Sequence, residues 1–102
     1  MKKLTASLAL TAILVGSIGT AALATTIPAS GGTWTYGINN NADNSYHMGY
    51  SYYFHPTNTH TSSVSVNGTV YRSPLTSKGN TSIMNGPSTQ STQIGLYYNP
   101  NA

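Results

Sequence analysis

The chain has 102 residues and only five charged side chains, Lys2, Lys3, Asp43, Arg72 and Lys78, with no Glu and no Cys. A single carboxylate excludes a two-carboxylate glycosidase. Without Cys there is no thiolate nucleophile, no zinc finger and no disulfide framework.

The first 24 residues differ from the rest. Met1-Lys2-Lys3 is a positive start, Leu4 to Val15 is apolar, and Gly16, Ser17, Gly19 and Thr20 break the run. Ala22-Leu23-Ala24 supplies small residues where a signal peptidase reads, so residues 1–24 are expected to be a secretory signal peptide cut between Ala24 and Thr25. A cut after Ala29 is the alternative, and an uncleaved membrane anchor is the competing reading of the same apolar run. The expected mature domain, 25–102, keeps Arg72 and Lys78 against Asp43, so the pI near 9.3 belongs mostly to the leader. Two cations are too few for phosphate-driven nucleic-acid binding or for electrostatic membrane attachment. No nucleic-acid partner and no stable membrane insertion are therefore expected.

The mature part is polar but nearly uncharged, rich in Asn, Ser and Thr and poor in aliphatics. Eight Tyr and one Trp supply the missing apolar area, since each aromatic buries about 150–250 Å². Apolar residues alternate with period two, the strand signature. Trp34, Tyr36 and Ile38 share one parity. In the segment from Ser45 to Phe54, the residues Tyr46, Met48, Tyr50, Tyr52 and Phe54 form a continuous apolar stripe. This stripe is expected to face the core, with His47, Ser51 and Tyr53 outward. Asn67-Gly68 between two alternating runs predicts a type I′ hairpin. The register it sets places Val66 opposite Thr69, Ser65 opposite Val70, Val64 opposite Tyr71 and Ser63 opposite Arg72. From Ser73 to Ser91 a Ser-, Thr-, Asn- and Gly-rich stretch reads as a long connection with one short strand near Thr81 to Met84. Ile94, Leu96 and Tyr98 mark a last strand. The predicted fold is all-β, a small antiparallel β-sandwich.

His47, His55 and His60 with Asp43 suggest a metal site, but their spacing fits no standard zinc pattern. No metal, cofactor or catalytic residue is expected. Asp43, between Asn41 and Asn44, reads as a turn residue. The adjacent pairs Tyr52-Tyr53 and Tyr97-Tyr98 must each turn one ring outward, and exposed Tyr beside Asn, Ser and His is a binding-surface composition. The candidate binding residues are Trp34, His47, Tyr53, His60, Arg72 and Lys78, with the two cations suited to an anionic headgroup.

Gly31-Gly32-Thr33-Trp34-Thr35-Tyr36-Gly37 resembles the G-x-W-x-x-G opening of the lactococcin 972 family of bacteriocins. Ser45-Tyr46-His47-Met48-Gly49 is similar to that family's Tyr-His strand, Thr59-His60-Thr61-Ser62-Ser63-Val64 to its His-Ser-x-x-Val strand, and Ile94-Gly95-Leu96-Tyr97-Tyr98-Asn99 to its closing segment. The linker from Ser73 to Ser91 and the terminal Pro100-Asn101-Ala102 depart from the pattern. The resemblance implies a secreted, non-enzymatic antibacterial β-sandwich that admits a homodimer. It would act on related bacteria through the lipid-linked cell-wall precursor rather than by pores. A rival from another class is a secreted surface-binding or adhesion module, because the same Tyr, Asn, Ser and Thr richness suits glycan or protein contact.

Overall fold

The computed structural model describes residues 10–15, as backbone, and 24–102. The Met1-Lys2-Lys3 start and the Ala22-Leu23 half of the cleavage motif lie outside the described residues. Eight strands follow in chain order: β1 (Leu10–Val15), β2 (Thr25–Ala29), β3 (Gly32–Asn40), β4 (His47–Phe54), β5 (Thr61–Val66), β6 (Thr69–Arg72), β7 (Thr81–Asn85) and β8 (Gln93–Asn99). They form two four-stranded sheets, β1-β8-β5-β6 and β2-β3-β4-β7, and every pairing is antiparallel. The expected all-β sandwich is what the chain builds. Within the segment read as a leader, β1 lies along β8 as an edge strand. Among the residues whose side chains are described, the buried hydrophobic core runs from Ala29 to Leu96.

Two hairpins are set by local chemistry. Asn67 and Gly68 both have positive φ, 50° and 87°, as a type I′ turn requires. The register is the expected one, Val66 to Thr69 through Ser63 to Arg72. Ser30 (φ 49°) and Gly31 (φ 85°) repeat the same device between β2 and β3, bringing Ala29 opposite Gly32. Strand β2 was not expected as an element, because the leader boundary falls at its start. Its signals were present, however, in the Ser-Gly pair and the alternation of Thr25, Ile27 and Ala29. Pro28 is tolerated there because β2 is an edge strand.

The face of β4 is the reverse of the expected one. Ser51 and Tyr53 are fully buried and Gly49 faces inward, whereas Tyr52 and Phe54 are only half-buried. Stacked sheets lie about 10 Å apart, and the facing β5 and β8 already fill that space with Val64, Ile94 and Leu96. A Cβ on Gly49 would come within 2.7 Å of the Ile94 side chain and 3.1 Å of Leu96. The inner side of β4 must therefore be small at its centre, and the large rings of Tyr50, Tyr52 and Phe54 go to the outer side. On the other strands the expected parity holds, with Trp34, Ile38, Val64, Val66, Ile94 and Leu96 in the core.

The connection from Ser73 to Ser91 is tied down along its length. Ser73 N–H donates to the Ser62 carbonyl, Gly79 N–H to that of His55 and Gly86 N–H to that of Gly49. Thr76 bridges His60, and Thr89 bridges His47. Strand β7 within it completes the second sheet against β4.

Candidate functional site: a recess on the outer face of the β5–β6 sheet

The alternation of β5 places Val64 and Val66 inward and Thr61, Ser63 and Ser65 on the opposite face. Register carries that face onto the neighbouring strands. Val70 and Arg72 of β6 lie beside Ser65 and Ser63, and Gly95, Tyr97 and Asn99 of β8 lie beside Ser65, Ser63 and Thr61. The result is an open recess of about 290 Å³ lined by Thr61, Ser63, Val70, Arg72, Tyr97, Tyr98 and Asn99. Its floor is made of the short hydroxyl side chains of β5, which lies between β8 and β6, and larger groups from those two strands rise on either side.

Tyr97 forms one wall. A Cβ at Gly95 would fall 2.6 Å from the Tyr97 hydroxyl oxygen and 2.8 Å from its ring. The ring therefore lies back over Gly95, and only glycine leaves it that room. The Tyr97 hydroxyl reaches the Ser65 hydroxyl at 3.4 Å. Arg72 stands on the other side, exposed at the end of the edge strand β6. The chain's one acidic side chain, Asp43, is engaged elsewhere: it accepts from the Ser45 hydroxyl at 2.6 Å and the Ser45 N–H at 3.1 Å. Those two bonds hold its carboxyl below the usual carboxylate range. Asp43 is thus the turn residue its sequence context suggested, and the Arg72 guanidinium is left as the cation of the recess. An arginine presents a planar fork of donors that matches the oxygens of a phosphate or carboxylate.

Of the six candidate binding residues, Arg72 alone lines this recess. Lys78 is exposed on the β6–β7 connection. Trp34, His47, Tyr53 and His60 are buried, His60 and Tyr53 completely. The outward orientation expected for His47 and Tyr53 is overturned with the face of β4. Tyr53 packs between Tyr98, His55 and His60, with ring centroids 4.7, 5.9 and 5.5 Å away, and donates its hydroxyl to the Ala29 carbonyl at 2.7 Å.

The three histidines hold loops rather than present a surface. His55 Nδ1 accepts from Asn58 N–H at 3.1 Å, which leaves Nε2 as the donor to the Ser30 carbonyl at 3.0 Å. The two ring nitrogens of His60 face the carbonyls of Asn58 and Asn80, each at 2.8 Å. His47 Nδ1 meets the Asn40 amide oxygen at 2.6 Å. Among the described residues no cluster of three His, Cys, Asp or Glu is placed to hold a metal ion.

Sequence reasoning did not pick out Thr61, Ser63, Val70, Tyr97 and Asn99 as a group. The signal was available in two pieces. The Asn-Gly turn already put Ser63 beside Arg72, and the Tyr97-Tyr98 pair already required one outward ring. What joins them is the pairing of β5 with β8, a long-range contact that no local pattern specifies.

Comparison with known proteins gives a match to a family model. No curated protein and no solved structure matches the chain. The family model described as Bacteriocin (Lactococcin_972) matches residues 30–97. That span covers β3 to β8 apart from the last two residues of β8, and every residue lining the recess except Tyr98 and Asn99. The chain belongs to the lactococcin 972 family of bacteriocins.

Proposed function

We propose that the chain is a secreted, non-enzymatic bacteriocin that stops growth of related bacteria by holding the anionic head of the lipid-linked cell-wall precursor in the Arg72 recess. The observation that carries this reading is the pairing of one unopposed guanidinium with a floor of Thr61 and Ser63 hydroxyls and a Tyr97 wall. Arg72 supplies the charge-assisted contact to pyrophosphate oxygens. The hydroxyls and the Asn99 amide supply neutral donors for further oxygens, and the open mouth admits a headgroup still attached to its membrane.

Arg72→Gln tests it. Growth inhibition of a related strain and binding to precursor-loaded vesicles should both fall at least about tenfold, the equivalent of about 1.4 kcal/mol. Circular dichroism should be unchanged, because Arg72 is exposed on an edge strand. Full activity in the variant rejects the recess as the site. Binding to cells with no effect on growth favours the adhesion reading instead.

A further inference from the structure

The outer face of the β2-β3-β4-β7 sheet carries the aromatic stripe. Tyr50, Tyr52 and Phe54 run down β4 at alternate positions. Thr35 and Thr33 lie opposite Tyr52 and Phe54 on β3, and Ile83 and Asn85 lie opposite Tyr52 and Tyr50 on β7. Ile83 is 54% exposed and Tyr52 and Phe54 are partly exposed, whereas Tyr50 is buried beneath them at 7% exposure, so Tyr52, Phe54 and Ile83 form the accessible part of the stripe.

Two features make this stripe a built surface. Opposite Tyr50 the chain has Gly37, where a Cβ would fall 2.5 Å from the Tyr50 hydroxyl oxygen and 2.8 Å from its ring. The Tyr50 ring is therefore laid down over the sheet, with the Tyr52 ring 5.3 Å away and tilted by 36°. The Tyr52 hydroxyl donates to the Asn85 amide oxygen at 2.8 Å, which fixes that ring and leaves the amide nitrogen as a donor. Among the described residues no charged side chain stands on β2, β3, β4 or β7. Asp43 sits in the β3–β4 turn, Arg72 in the other sheet and Lys78 in the β6–β7 connection.

We propose that this face binds an uncharged, extended chain of pyranose rings, such as a polymer of β-1,4-linked N-acetylglucosamine. A pyranose ring has a flat side of C–H bonds, whose slightly positive hydrogens pack on the negative face of an aromatic ring. Its hydroxyl or acetamido groups project around the edge, where Thr33, Thr35 and Asn85 stand. Tyr offers this contact area at little entropic cost. Neutrality argues against the alternatives: an anionic headgroup would want cations on the face, as would a lipid surface. The inference concerns a different face from the Arg72 recess and stands without it.

The test uses insoluble chitin and a soluble hexamer of β-1,4-linked N-acetylglucosamine as probes for the secreted protein. The protein should be retained on chitin and released by the hexamer. Tyr52→Ala should weaken retention at least about tenfold, whereas Tyr52→Phe, which keeps the ring, and Arg72→Gln should retain it. Circular dichroism establishes that each variant is folded, and Tyr71→Ala, an exposed ring on the other sheet, serves as the control. Absence of retention overturns the proposal, as does retention that depends on Arg72 rather than Tyr52. Sedimentation equilibrium in which wild type dimerises and Tyr52→Ala does not, with no chitin retention, gives the face to a second copy and also overturns it.

Discussion

The Trp34 indole N–H donates to the Ser51 hydroxyl at 2.8 Å, and that hydroxyl donates onward to the Tyr97 carbonyl at 2.7 Å. Trp34 and Ser51 lie in one sheet and Tyr97 in the other, so a single hydroxyl joins the two layers. Ser51→Ala removes both bonds and leaves a buried indole N–H without its acceptor. Each buried group left unpaired costs about 1–3 kcal/mol, so a loss of about 2–4 kcal/mol is expected. A urea midpoint in Ser51→Ala equal to that of the wild type would show that the link carries no stability.

Ser62 is the opposite case. Its side chain is fully buried, and its hydroxyl has no hydrogen-bond partner among the described residues. Its backbone is well tied, accepting from Ser73 N–H and donating to the Ser73 hydroxyl. An unmade hydrogen bond in an apolar layer is a desolvation cost with nothing to offset it. Ser62→Ala removes that cost and should leave the domain as stable or raise stability by about 1 kcal/mol. A marked drop in thermal midpoint would mean that the hydroxyl has a partner in solution.

Much of the fold was readable because its signals are local. Asn67-Gly68 fixed a register that the structure reproduces pair for pair, and alternation identified β3, β4, β5, β6 and β8. The face of β4 was not readable, because both its parities carry aromatic rings. The choice between them is made by Ile94, Leu96 and Val64, which press on Gly49 from the other sheet. The site divides in the same way. Arg72 was legible as a lone cation beside Ser63, whereas Trp34, Tyr53 and His60 have the residue types of a binding surface but serve as core and loop ties. Their burial is a property of how the sheets stack, and spacing along the chain does not carry it.

Alkaline stability follows from Tyr53. Burial, reinforced by Tyr98, pushes its phenol well above the ordinary value of about 10, and the protonated form is the donor to Ala29. Above about pH 10 the unfolded chain releases this proton while the folded chain keeps it. The folded state then binds more protons, and stability falls as pH rises. The contribution is complete below about pH 10 and declines above it by about 1.4 kcal/mol per pH unit. Tyr50 is raised in the same direction by burial and by Tyr52. Tyr53→Phe should be less stable near neutrality by about 1 kcal/mol for the lost bond and should show a shallower alkaline decline. An unchanged alkaline slope in that variant would assign the effect to other groups.

The proposed leader cleavage would have a structural consequence that separates the two candidate sites. A cut after Ala24 detaches β1, makes β8 an edge strand, and leaves β2 whole against β3. A cut after Ala29 removes β2. It would take Ile27 from beside Trp34 and would delete Ala29, which is buried and whose carbonyl accepts the Tyr53 hydroxyl. The Tyr53 hydroxyl would then lose its strongest partner in the interior, a cost of about 1–3 kcal/mol before the lost strand pairing is counted. On the proposed secretion and leader cleavage, the mature chain is therefore expected to begin at Thr25. A shortened chain beginning at Ser30 should unfold at lower urea, with the Tyr53→Phe substitution costing less in that background than in the full mature chain, because the bond it deletes is already gone. Mass spectrometry of secreted material settles the first point, and a double-mutant comparison settles the second. Recovery of a Ser30-initiated form as stable as the longer one would show that β2 is dispensable and that Ala29 is not the anchor the geometry makes it.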